Sequence, residues 1–264
     1  MNAPDDPVWR LIVDEARPGA TNMAIDEALF ESVQAGGRPV LRLYHWEPPC
    51  LSLGRNQVAD RSIAARVAAR GAQLVRRPTG GLAVYHDREV TYAVIGPVAL
   101  LGRPRDAYAR INRALVAAIR ALGAPAALAP GARRAAAPAT NAGLPCFAGA
   151  AAGEVMVRDR KLVGSAQRCV AHVILQHGSI LLDGDQSAAD VRVEAAPITA
   201  PASMTLREAI GRVPARADVR ARVARAFEEE FGSAFIEDAA TQIEIARSRT
   251  LEARYASEAW TWRR

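Results

Sequence analysis

Long apolar runs are absent from this sequence. No stretch of about 18 or more apolar residues occurs, so we expect no helix that spans a membrane. The segment 1–6 is acidic and lacks the basic start and the apolar run of a secretion signal. These absences lead us to expect a soluble, cytoplasmic protein with no membrane partner.

Cysteine and aromatic residues are also few. The chain has 3 cysteines, at positions 50, 146 and 169, and both the odd number and the wide spacing argue against a disulfide framework and against a CxxC metal site. We therefore expect no bound metal. Aromatic residues make up 5% of the 264 residues and apolar residues 50%, so leucine, valine, isoleucine and alanine must fill the core.

Lysine is the scarcest charged residue. Of the 34 basic residues only Lys161 is a lysine, and every other one is an arginine. A bias in coding composition explains the arginines, and one surface lysine could survive by chance. Where chemistry matters the two are not equivalent, because lysine is a compact ammonium that titrates whereas arginine stays protonated. Lys161 is therefore a candidate functional residue.

The formal net charge of +6 gives the protein a basic surface, which suits an acidic partner such as nucleic acid, a membrane or an acidic protein. No interleaved aromatic platform and no recognised nucleic-acid-binding motif accompanies the arginines. We therefore expect no nucleic-acid partner.

Hydrophobic periodicity predicts a mixture of strands and helices. Strands are predicted at 9–13, 40–46, 50–53, 73–77, 83–85, 90–95, 154–157, 161–165 and 172–182, with 83–85 and 90–95 forming a pair around His86-Asp87. Helices are predicted from a cap at Asn22 to Gly36-Gly37, and at 60–70, 107–122, 205–210, 216–231 and 239–255. Because strands and helices do not alternate regularly, the pattern favours a mixed-sheet α/β or α+β domain.

A loop rich in alanine and proline is predicted at 123–145, where we expect an exposed, mobile segment. Cys146 follows this loop, where burial is less expected than in the strand-like or apolar surroundings of Cys50 and Cys169. A free cysteine is usually a buried small apolar residue, which is our interpretation of those two. Cys146 is the candidate nucleophile.

Adjacent glycines follow the predicted strand 73–77. Gly80 and Gly81 would let the backbone approach a ligand closely, and the guanidinium groups of Arg76 and Arg77 would suit a phosphate or a carboxylate. A plain hairpin turn explains the two glycines equally well.

Small residues at Gly164, Ser165 and Ala166 would leave room for an acyl chain or an adenosine-like group. They are also what a close crossing of two strands requires. His177, next to Gly178, is by itself more often a hydrogen-bonded core histidine than a catalytic one. The residues alone leave these interpretations open.

A longer combination of motifs runs RRPTGG…AVYHDREVTYAVI and then CF…E…RKLVGSAQ…ILQHGSILL. It resembles the lipoate–protein ligase A-like octanoyltransferases of the superfamily that includes the biotin and lipoate ligases. WRLIVDEA…NMAIDEAL, YHWEPPCLSLGRNQ and RYASEAWTWRR look similar too, so the resemblance covers nearly the whole chain. It implies mixed β-sheets flanked by helices in a single domain over 1–264, with a ligase-like core at about 38–235 and a helical tail at 236–264.

The resemblance also implies the chemistry, a two-step acyl transfer that needs no cofactor. Cys146 matches the family's acyl-thioester nucleophile, and Lys161, 15 positions later, matches the lysine that lowers the pKa of that thiol. Backbone N–H groups near GSAQ are candidate oxyanion donors. The positions that match the surroundings of the acyl tunnel are Arg77, Gly80, Gly81, His86, Gly164, Ser165, Ala166, Gln167, His177 and Gly178.

The partners implied by the resemblance are octanoyl-acyl carrier protein as the donor and the lysine of a lipoyl domain as the acceptor. Such a domain occurs in the glycine-cleavage H protein and in dehydrogenase E2 subunits. Two alternatives stay open. A lipoyl or octanoyl amidotransferase between lipoyl domains would use the same Cys146 and Lys161, whereas an ATP-dependent lipoate–protein ligase would not need Cys146.

The chain departs from the family pattern at three places. Leu82 follows the two glycines where arginine or glycine is usual, residues 151–153 are small where aromatic residues are common, and His172 replaces a small residue before the ILQHGS strand. The first two changes bear on the shape of the acyl pocket and hence on the preferred chain length.

Overall fold

The apolar periodicities of the sequence appear as strands and helices in a computed structural model that describes residues 8–130, 147, 152–189 and 203–263. The strands are β1 (Trp9–Arg17), β2 (Val40–Trp46), β3 (Cys50–Leu53), β4 (Gln73–Arg76), β5 (Val84–His86), β6 (Glu89–Pro97), β7 (Ala126–Leu128), β8 (Val155–Val157), β9 (Arg160–Val170), β10 (Val173–Leu181) and β11 (Phe235–Glu237). The helices are α1 (Gly19–Gln34), α2 (Ile63–Ala68), α3 (Val98–Leu101), α4 (Pro104–Ala121), α5 (Leu206–Ile210), α6 (Arg216–Phe231), α7 (Gln242–Tyr255) and α8 (Glu258–Thr261).

The main sheet has the strand order β11-β1-β2-β6-β10-β9-β8-β7. β1 is parallel to both of its neighbours, and the remaining pairs are antiparallel. Every residue of β6 except Pro97 is buried, as expected of a strand whose sheet is covered on both faces. The mixed-sheet class predicted from the sequence is confirmed.

A second, three-stranded sheet has the order β4-β3-β5, with β4 parallel and β5 antiparallel to β3. The predicted pairing of the strands on either side of His86-Asp87 is therefore wrong, because β5 pairs with β3 while β6 pairs with β2 and β10. The reason is the number of backbone hydrogen bonds. β6 pairs with β10 over nine residues, whereas β5 is only three residues long.

Helices cover both faces of the main sheet. On one face, α4 and α6 bury an apolar core that includes Leu115 and Phe227. On the other face, α1 packs between the sheet and α7, and the core there includes Met23 and Tyr255. The predicted C-terminal tail thus supplies α7 to this face, and the division of the chain into core and tail stays a prediction.

The start of α1 corrects one prediction. Pro18 precedes the first turn, and Asn22 lies inside the helix rather than at its cap. The buried Asn22 side chain donates from Nδ2 to the carbonyl oxygens of Arg17 and His45, each at 3.1 Å. Asparagine favours helix N-termini in general, but here its amide ties α1 to the ends of β1 and β2. Gly36 follows the helix with φ of 93°, as the predicted stop requires.

Other elements agree with the sequence or differ in length. β2, β3 and α6 have the predicted bounds, and the β8–β9 hairpin is confirmed, with a turn at Arg158 where φ is 54°. α2 is shorter than the predicted helix at 60–70, and β7 and β11 were not predicted. β7 lies within the segment 123–145 that was predicted to be a loop, so that part of the prediction is wrong. Most of the predicted loop at 123–145 lies outside the described residues.

Among the described residues, no helix has the length and apolar character needed to cross a membrane.

Candidate active site

The two sheets enclose a cavity where they meet. The empty space between its walls, counted out to where it opens to solvent, is about 340 Å³, at the low end of the range of about 300–1,000 Å³ for small-ligand sites. Seven of the predicted tunnel residues line it: Arg77, His86, Gly164, Ser165, Ala166, His177 and Gly178. Seven further lining residues were not predicted: Met23, Tyr44, Trp46, Ser52, Val84, Thr91 and Ser179.

Arg77 holds the glycine loop that follows β4. Its guanidinium donates to the carbonyl oxygens of Gly80 and Leu82, at 2.7 and 2.8 Å, and to that of Ser52 at 3.1 Å. At Gly81, where φ is 85°, a Cβ would lie 2.9 Å from Nη2 of Arg77, so glycine lets the loop close over the guanidinium. Gly80 and Gly81 therefore shape this loop and do not line the cavity.

The expectation that Arg76 and Arg77 face a phosphate or a carboxylate needs correction, since both bind backbone carbonyl groups. Arg76 donates to the carbonyl oxygens of Gly54 at 2.6 Å and of Gln57 and Thr261 at 2.8 Å. Carbonyl groups at strand ends would otherwise be left without donors, and a guanidinium supplies several at once.

Gln167, also predicted as a tunnel residue, lies outside the cavity in a chain of polar side chains. Its Nε2 donates to Oε1 of Gln176 at 3.1 Å, and Nε2 of Gln176 donates to Oη of Tyr92 at 3.1 Å. Oη of Tyr92 is 2.7 Å from Oγ of Ser165. Gln167 is therefore connected to the cavity residue Ser165 only through Gln176 and Tyr92.

Gly178 allows β10 to approach its neighbours closely. A Cβ at this position would lie 2.3 Å from the carbonyl oxygen of Gly164 and 2.9 Å from Cε1 of Tyr92. The close strand contact that the sequence left open is therefore present, and the same small residues also line the cavity.

A buried hydrogen-bond chain joins His177 to α1. Nε2 of His177 is 2.6 Å from Oγ1 of Thr79, and Nδ1 is 2.9 Å from Oδ2 of Asp26. Because the carboxylate only accepts, Nδ1 carries the proton and Nε2 accepts from the threonine. The Asp26 carboxylate also accepts from Arg42 at 2.7 Å and from Tyr44 at 2.8 Å.

Burial and the ion pair between Asp26 and Arg42 set the protonation states of His177 and Asp26. Burial lowers the pKa of His177, against the opposing effect of Asp26. Burial acts to raise the pKa of Asp26, but the hydrogen bond from His177 and the charge of Arg42 hold it below its ordinary value. At neutral pH the cavity wall therefore presents a neutral imidazole, which suits an uncharged ligand.

His86 belongs to a second buried hydrogen-bond network at the cavity wall. Its Nε2 is 2.7 Å from Oγ of Ser52 and its Nδ1 is 2.8 Å from Oε1 of Glu89, which also accepts from Ser179 at 3.0 Å. The imidazole stacks on Trp46 with the ring centres 4.0 Å apart. Both predicted histidines are thus fixed between a hydroxyl and a carboxylate.

The two carboxylates in these chains, Asp26 and Glu89, were missed at the level of the sequence. Each is completely buried within a mainly apolar element. A carboxylate on the apolar side of a periodic segment is the signal that could have indicated them, because an unpaired charge is costly to bury. Ser52 and Tyr44 gave no comparable signal.

Lys161, the one lysine of the chain, is 2% exposed. Its Nζ donates to Oε1 of Glu154 at 2.6 Å and lies 5.3 Å from the centre of the Phe147 ring. An ammonium is kept in such a place only with a paired carboxylate. The alternative of a chance surface lysine is therefore wrong.

Phe147 links Lys161 to the cavity. It is 1% exposed and packs in a buried cluster with Val84 and Leu181, and Val84 is itself a cavity residue. Cys146, the predicted nucleophile, lies outside the described residues. It is the residue that directly precedes Phe147 in the chain.

The other two cysteines differ from each other. Cys50 is completely buried, and burial raises the pKa of its thiol, so it is the inert apolar residue that we expected. Cys169 lies on β9 but is exposed, so its interpretation as a buried residue is wrong. A strand residue near the end of a hairpin has one open face.

Two of the departures from the family pattern fall within the described residues. Leu82 is half-buried and contributes its carbonyl oxygen to Arg77. His172 lies in the turn between β9 and β10 with φ of 62°, so β10 begins one residue later than predicted. Residue 151, in the third departure, lies outside the described residues.

Comparison with known families and structures gives a consistent result. A family model described as the lipoyl protein ligase A/B catalytic domain matches residues 18–228. An octanoyltransferase LipM of Moorella thermoacetica is 37% identical to this chain over 97% of it and 98% of the relative. That of Symbiobacterium thermophilum is 40% identical over 97% of this chain and 98% of the relative. Among solved structures, a lipoate-protein ligase A bound with ATP has a TM-score of 0.78 at 26% identity, covering 97% of this chain and 98% of that one.

Proposed function

This chain belongs to the lipoyl protein ligase A/B catalytic domain family and is an octanoyltransferase in protein lipoylation, and we propose that it works through a thioester on Cys146. The acyl donor in this proposal is octanoyl-acyl carrier protein, and the acceptor is the lysine of a lipoyl domain. The glycine-cleavage H protein and dehydrogenase E2 subunits carry such domains.

One observation carries the proposal. The ammonium of Lys161 is buried and lies 5.3 Å from the ring of Phe147, the residue that follows Cys146 in the chain. A thiolate is the reactive form of cysteine, and a nearby ammonium favours it. Phe147 packs on Val84 of the cavity wall, which supports an acyl chain held in the cavity with its carbonyl end toward Lys161.

The proposed reaction has two steps that balance without a further reactant. The Cys146 thiolate attacks the thioester carbonyl of the donor, the bond from that carbonyl to the carrier sulfur breaks, and the carrier leaves as a thiolate that takes up a proton from solvent. The lysine amine of the lipoyl domain then attacks the new thioester, an amide forms, and the Cys146 thiolate is released with the amine proton passing to solvent or to a nearby base. Because the donor is already activated, neither ATP nor Mg²⁺ is required.

In the proposal, Lys161 and Glu154 together stabilise the Cys146 thiolate. The ammonium offsets the charge of the thiolate in the resting and departing states, and Glu154, 2.6 Å away, fixes its position. Gly164, Ser165 and Ala166 leave room for the chain beside His177, and their backbone N–H groups are candidate donors to the oxyanion.

The names and identities of the relatives favour the octanoyltransferase over the ligase alternative. The full-length relatives at 37% and 40% identity are octanoyltransferases by name, whereas the ligase structure that shares the fold is 26% identical. The amidotransferase alternative uses the same residues and differs only in the acyl donor.

A transfer assay with three donors separates these functions. The readout is the mass of a lipoyl domain after incubation with octanoyl-acyl carrier protein alone, with free octanoate plus ATP and Mg²⁺, or with an octanoylated second lipoyl domain. We expect modification from the first donor in the absence of ATP. Modification from octanoate plus ATP alone would establish the ligase, and modification from the octanoylated domain alone would establish the amidotransferase.

A further inference from the structure

A second, wider space opens beyond the ends of strands β3 and β4. The segment 55–61, Arg76, Trp262 and Arg263 line it, and its empty volume out to solvent is about 1440 Å³. We call it the arginine groove. Arg76 lines this groove and the next residue, Arg77, lines the cavity, so one stretch of backbone separates the two spaces.

The arginine groove has an excess of positive charge. Within the part of the chain that the structure describes, no carboxylate lies at ion-pair distance from Arg55 or Arg263, whereas the Arg76 guanidinium is already bound to the backbone carbonyl oxygens of Gly54, Gln57 and Thr261. Arg61 is paired with Glu258 at 3.0 Å, where both side chains are exposed. Arginines without a carboxylate partner are a common feature of sites for phosphate groups.

Like charges crowd Arg55 in particular. Burial and the positive charges of Arg168 and Arg263 lower the pKa of Arg55. The Asp60 carboxylate, which also lines the groove, accepts from the backbone N of Ser62 at 2.7 Å. A bound anion would offset the repulsion between these guanidinium groups.

Gln57 supplies an unused donor at the base of the groove. Its side chain is 8% exposed, and its Oε1 accepts from the backbone N of Gly54 at 3.1 Å, which fixes the orientation of the amide. Nε2 of Gln57 is buried and has no hydrogen-bond partner among the residues that the structure describes. A buried donor of this kind calls for an acceptor that is not part of the described chain.

The groove also adjoins the glycine loop that borders the cavity. The backbone N of Arg55 donates to the carbonyl oxygen of Thr79 at 2.7 Å. Gly54 packs so tightly on this loop that a Cβ there would lie 1.8 Å from the carbonyl oxygen of Gly81. A ligand in the groove thus lies one loop away from the cavity wall.

We propose that the arginine groove binds the phosphate group of the phosphopantetheine arm on which acyl carriers hold the octanoyl thioester, an inference that rests on the proposed octanoyl donor. The arm is narrow and flexible, so its phosphate reaches the base of the groove where Gln57 has a free donor. Carboxylates on the rigid surface of an acidic protein would reach only the rim, near the exposed Val58.

The test compares two ligands that differ only in the phosphate, namely 4′-phosphopantetheine and pantetheine. Binding to the full-length protein is measured by titration calorimetry, and kcat/KM is measured for their octanoyl thioesters. Because hydrogen bonds to a charged group contribute about 1.5–3 kcal/mol, we expect the phosphorylated form to be preferred by about tenfold to a hundredfold in both measurements.

Three variants locate the site. Arg55→Gln and Gln57→Leu should bring the ratio of the phosphorylated to the unphosphorylated ligand close to one while leaving kcat/KM for octanoyl-pantetheine unchanged. Arg263→Glu should reverse the preference, so that the unphosphorylated ligand is favoured. Arg249→Gln, an exposed arginine on α7, is the matched control and should keep the wild-type preference. Arg263 lies after α8, outside the helices and strands, so Arg263→Glu stays informative if Gln57→Leu fails to fold.

Equal binding of the two ligands by the wild-type protein would overturn the proposal, and so would a preference that all three variants retain. Loss of transfer from both octanoyl thioesters would contradict the proposed function instead. In that case the calorimetric preference for the phosphorylated ligand would still decide whether the groove binds phosphate.

Discussion

At the scale of single residues, variants of the buried ion pair of Lys161 and Glu154 distinguish its contribution to the stability of the fold from its role in acyl transfer. Removing one partner of a buried ion pair leaves an uncompensated charge and costs about 3–5 kcal/mol, whereas replacing both by apolar residues of similar volume is often neutral. We expect Glu154→Gln to lower the free energy of unfolding by roughly 3 kcal/mol. The double variant Lys161→Met, Glu154→Leu should recover most of that loss in urea unfolding and yet transfer no acyl group.

The double variant is the decisive control. If it is as unstable as Glu154→Gln, the pair stabilises the fold beyond the compensation of charge. If it retains acyl transfer, Lys161 has no chemical role.

The charge and the shape of Lys161 can be tested separately. An ordinary cysteine titrates near about pH 8.5, and an ammonium favours the thiolate. In a Cys50→Ser, Cys169→Ser background, where Cys146 is the only thiol, we expect alkylation by iodoacetamide to have a midpoint below that pH. Lys161→Ala should move the midpoint upward. Lys161→Arg should keep part of the shift but transfer little, because the larger planar guanidinium does not fit the same buried place.

Identical alkylation profiles for the parent and Lys161→Ala would rule out the dyad. Lys161 would then be at most a residue that positions the substrate.

The stability of the fold should depend on pH through two histidines. Burial lowers the pKa of His177, and burial together with Arg216 and Arg220 lowers that of His45. In the unfolded chain both histidines take up a proton as the pH falls through about 6.5, whereas in the folded protein they stay neutral to a lower pH. Their contribution to the free energy of unfolding is therefore fully present above that pH and is lost as the pH falls below it. Urea unfolding between about pH 7 and pH 5 should show this decline.

His177→Asn should make the decline with pH smaller, since asparagine still donates to Asp26 but does not titrate. His45→Asn should remove a further part. A pH dependence that is unchanged in His177→Asn would contradict the assignment of a neutral, buried imidazole to the cavity wall.

At the scale of the elements, the contact of β10 with β9 should tolerate no side chain at Gly178. A Cβ there would lie 2.3 Å from a backbone oxygen, whereas at Gly80 nothing lies within 4 Å of the corresponding position. Overpacking of a rigid contact costs about 1–3 kcal/mol or more. We expect Gly178→Ala to lower the midpoint of thermal unfolding and Gly80→Ala to leave it nearly unchanged. Equal midpoints for the two variants would mean that the strands move apart easily.

The elements also show what a sequence can predict. β2, β3 and α6 have the predicted bounds because each has a clear apolar pattern within itself. The pairing of β5 with β3 was not predictable in this way, since it depends on which strand offers more hydrogen bonds at a distance along the chain. Asn22 shows the same limit, because its amide binds strand carbonyls and does not cap the helix.

The site follows the same rule. The motif resemblance indicated His86, His177 and the Gly164–Ala166 segment, and these line one cavity. Asp26 and Glu89, which fix the two histidines, lie inside the matching segments NMAIDEAL and AVYHDREVTYAVI, but their hydrogen bonds to the histidines depend on how α1 and β6 pack with β10. Lys161 was indicated both by composition and by the resemblance, and its burial shows that it is not an ordinary surface charge.

At the scale of the whole molecule, two sheets and their helices bring one cavity, one buried lysine and Phe147 together. The chain has 3 cysteines, of which Cys50 is buried and Cys169 is exposed, so each cysteine can be distinguished by substitution. This composition makes the central claim, a thioester on Cys146, directly measurable.

That measurement is the intact mass of the protein after incubation with octanoyl-acyl carrier protein without ATP, followed by peptide mapping. The account predicts the gain of one octanoyl group on Cys146, which hydroxylamine removes and a lipoyl domain discharges. Cys146→Ser should lose both the adduct and the transfer, while Cys50→Ser and Cys169→Ser should retain both. An adduct on Cys169, or transfer that persists in Cys146→Ser, would contradict it.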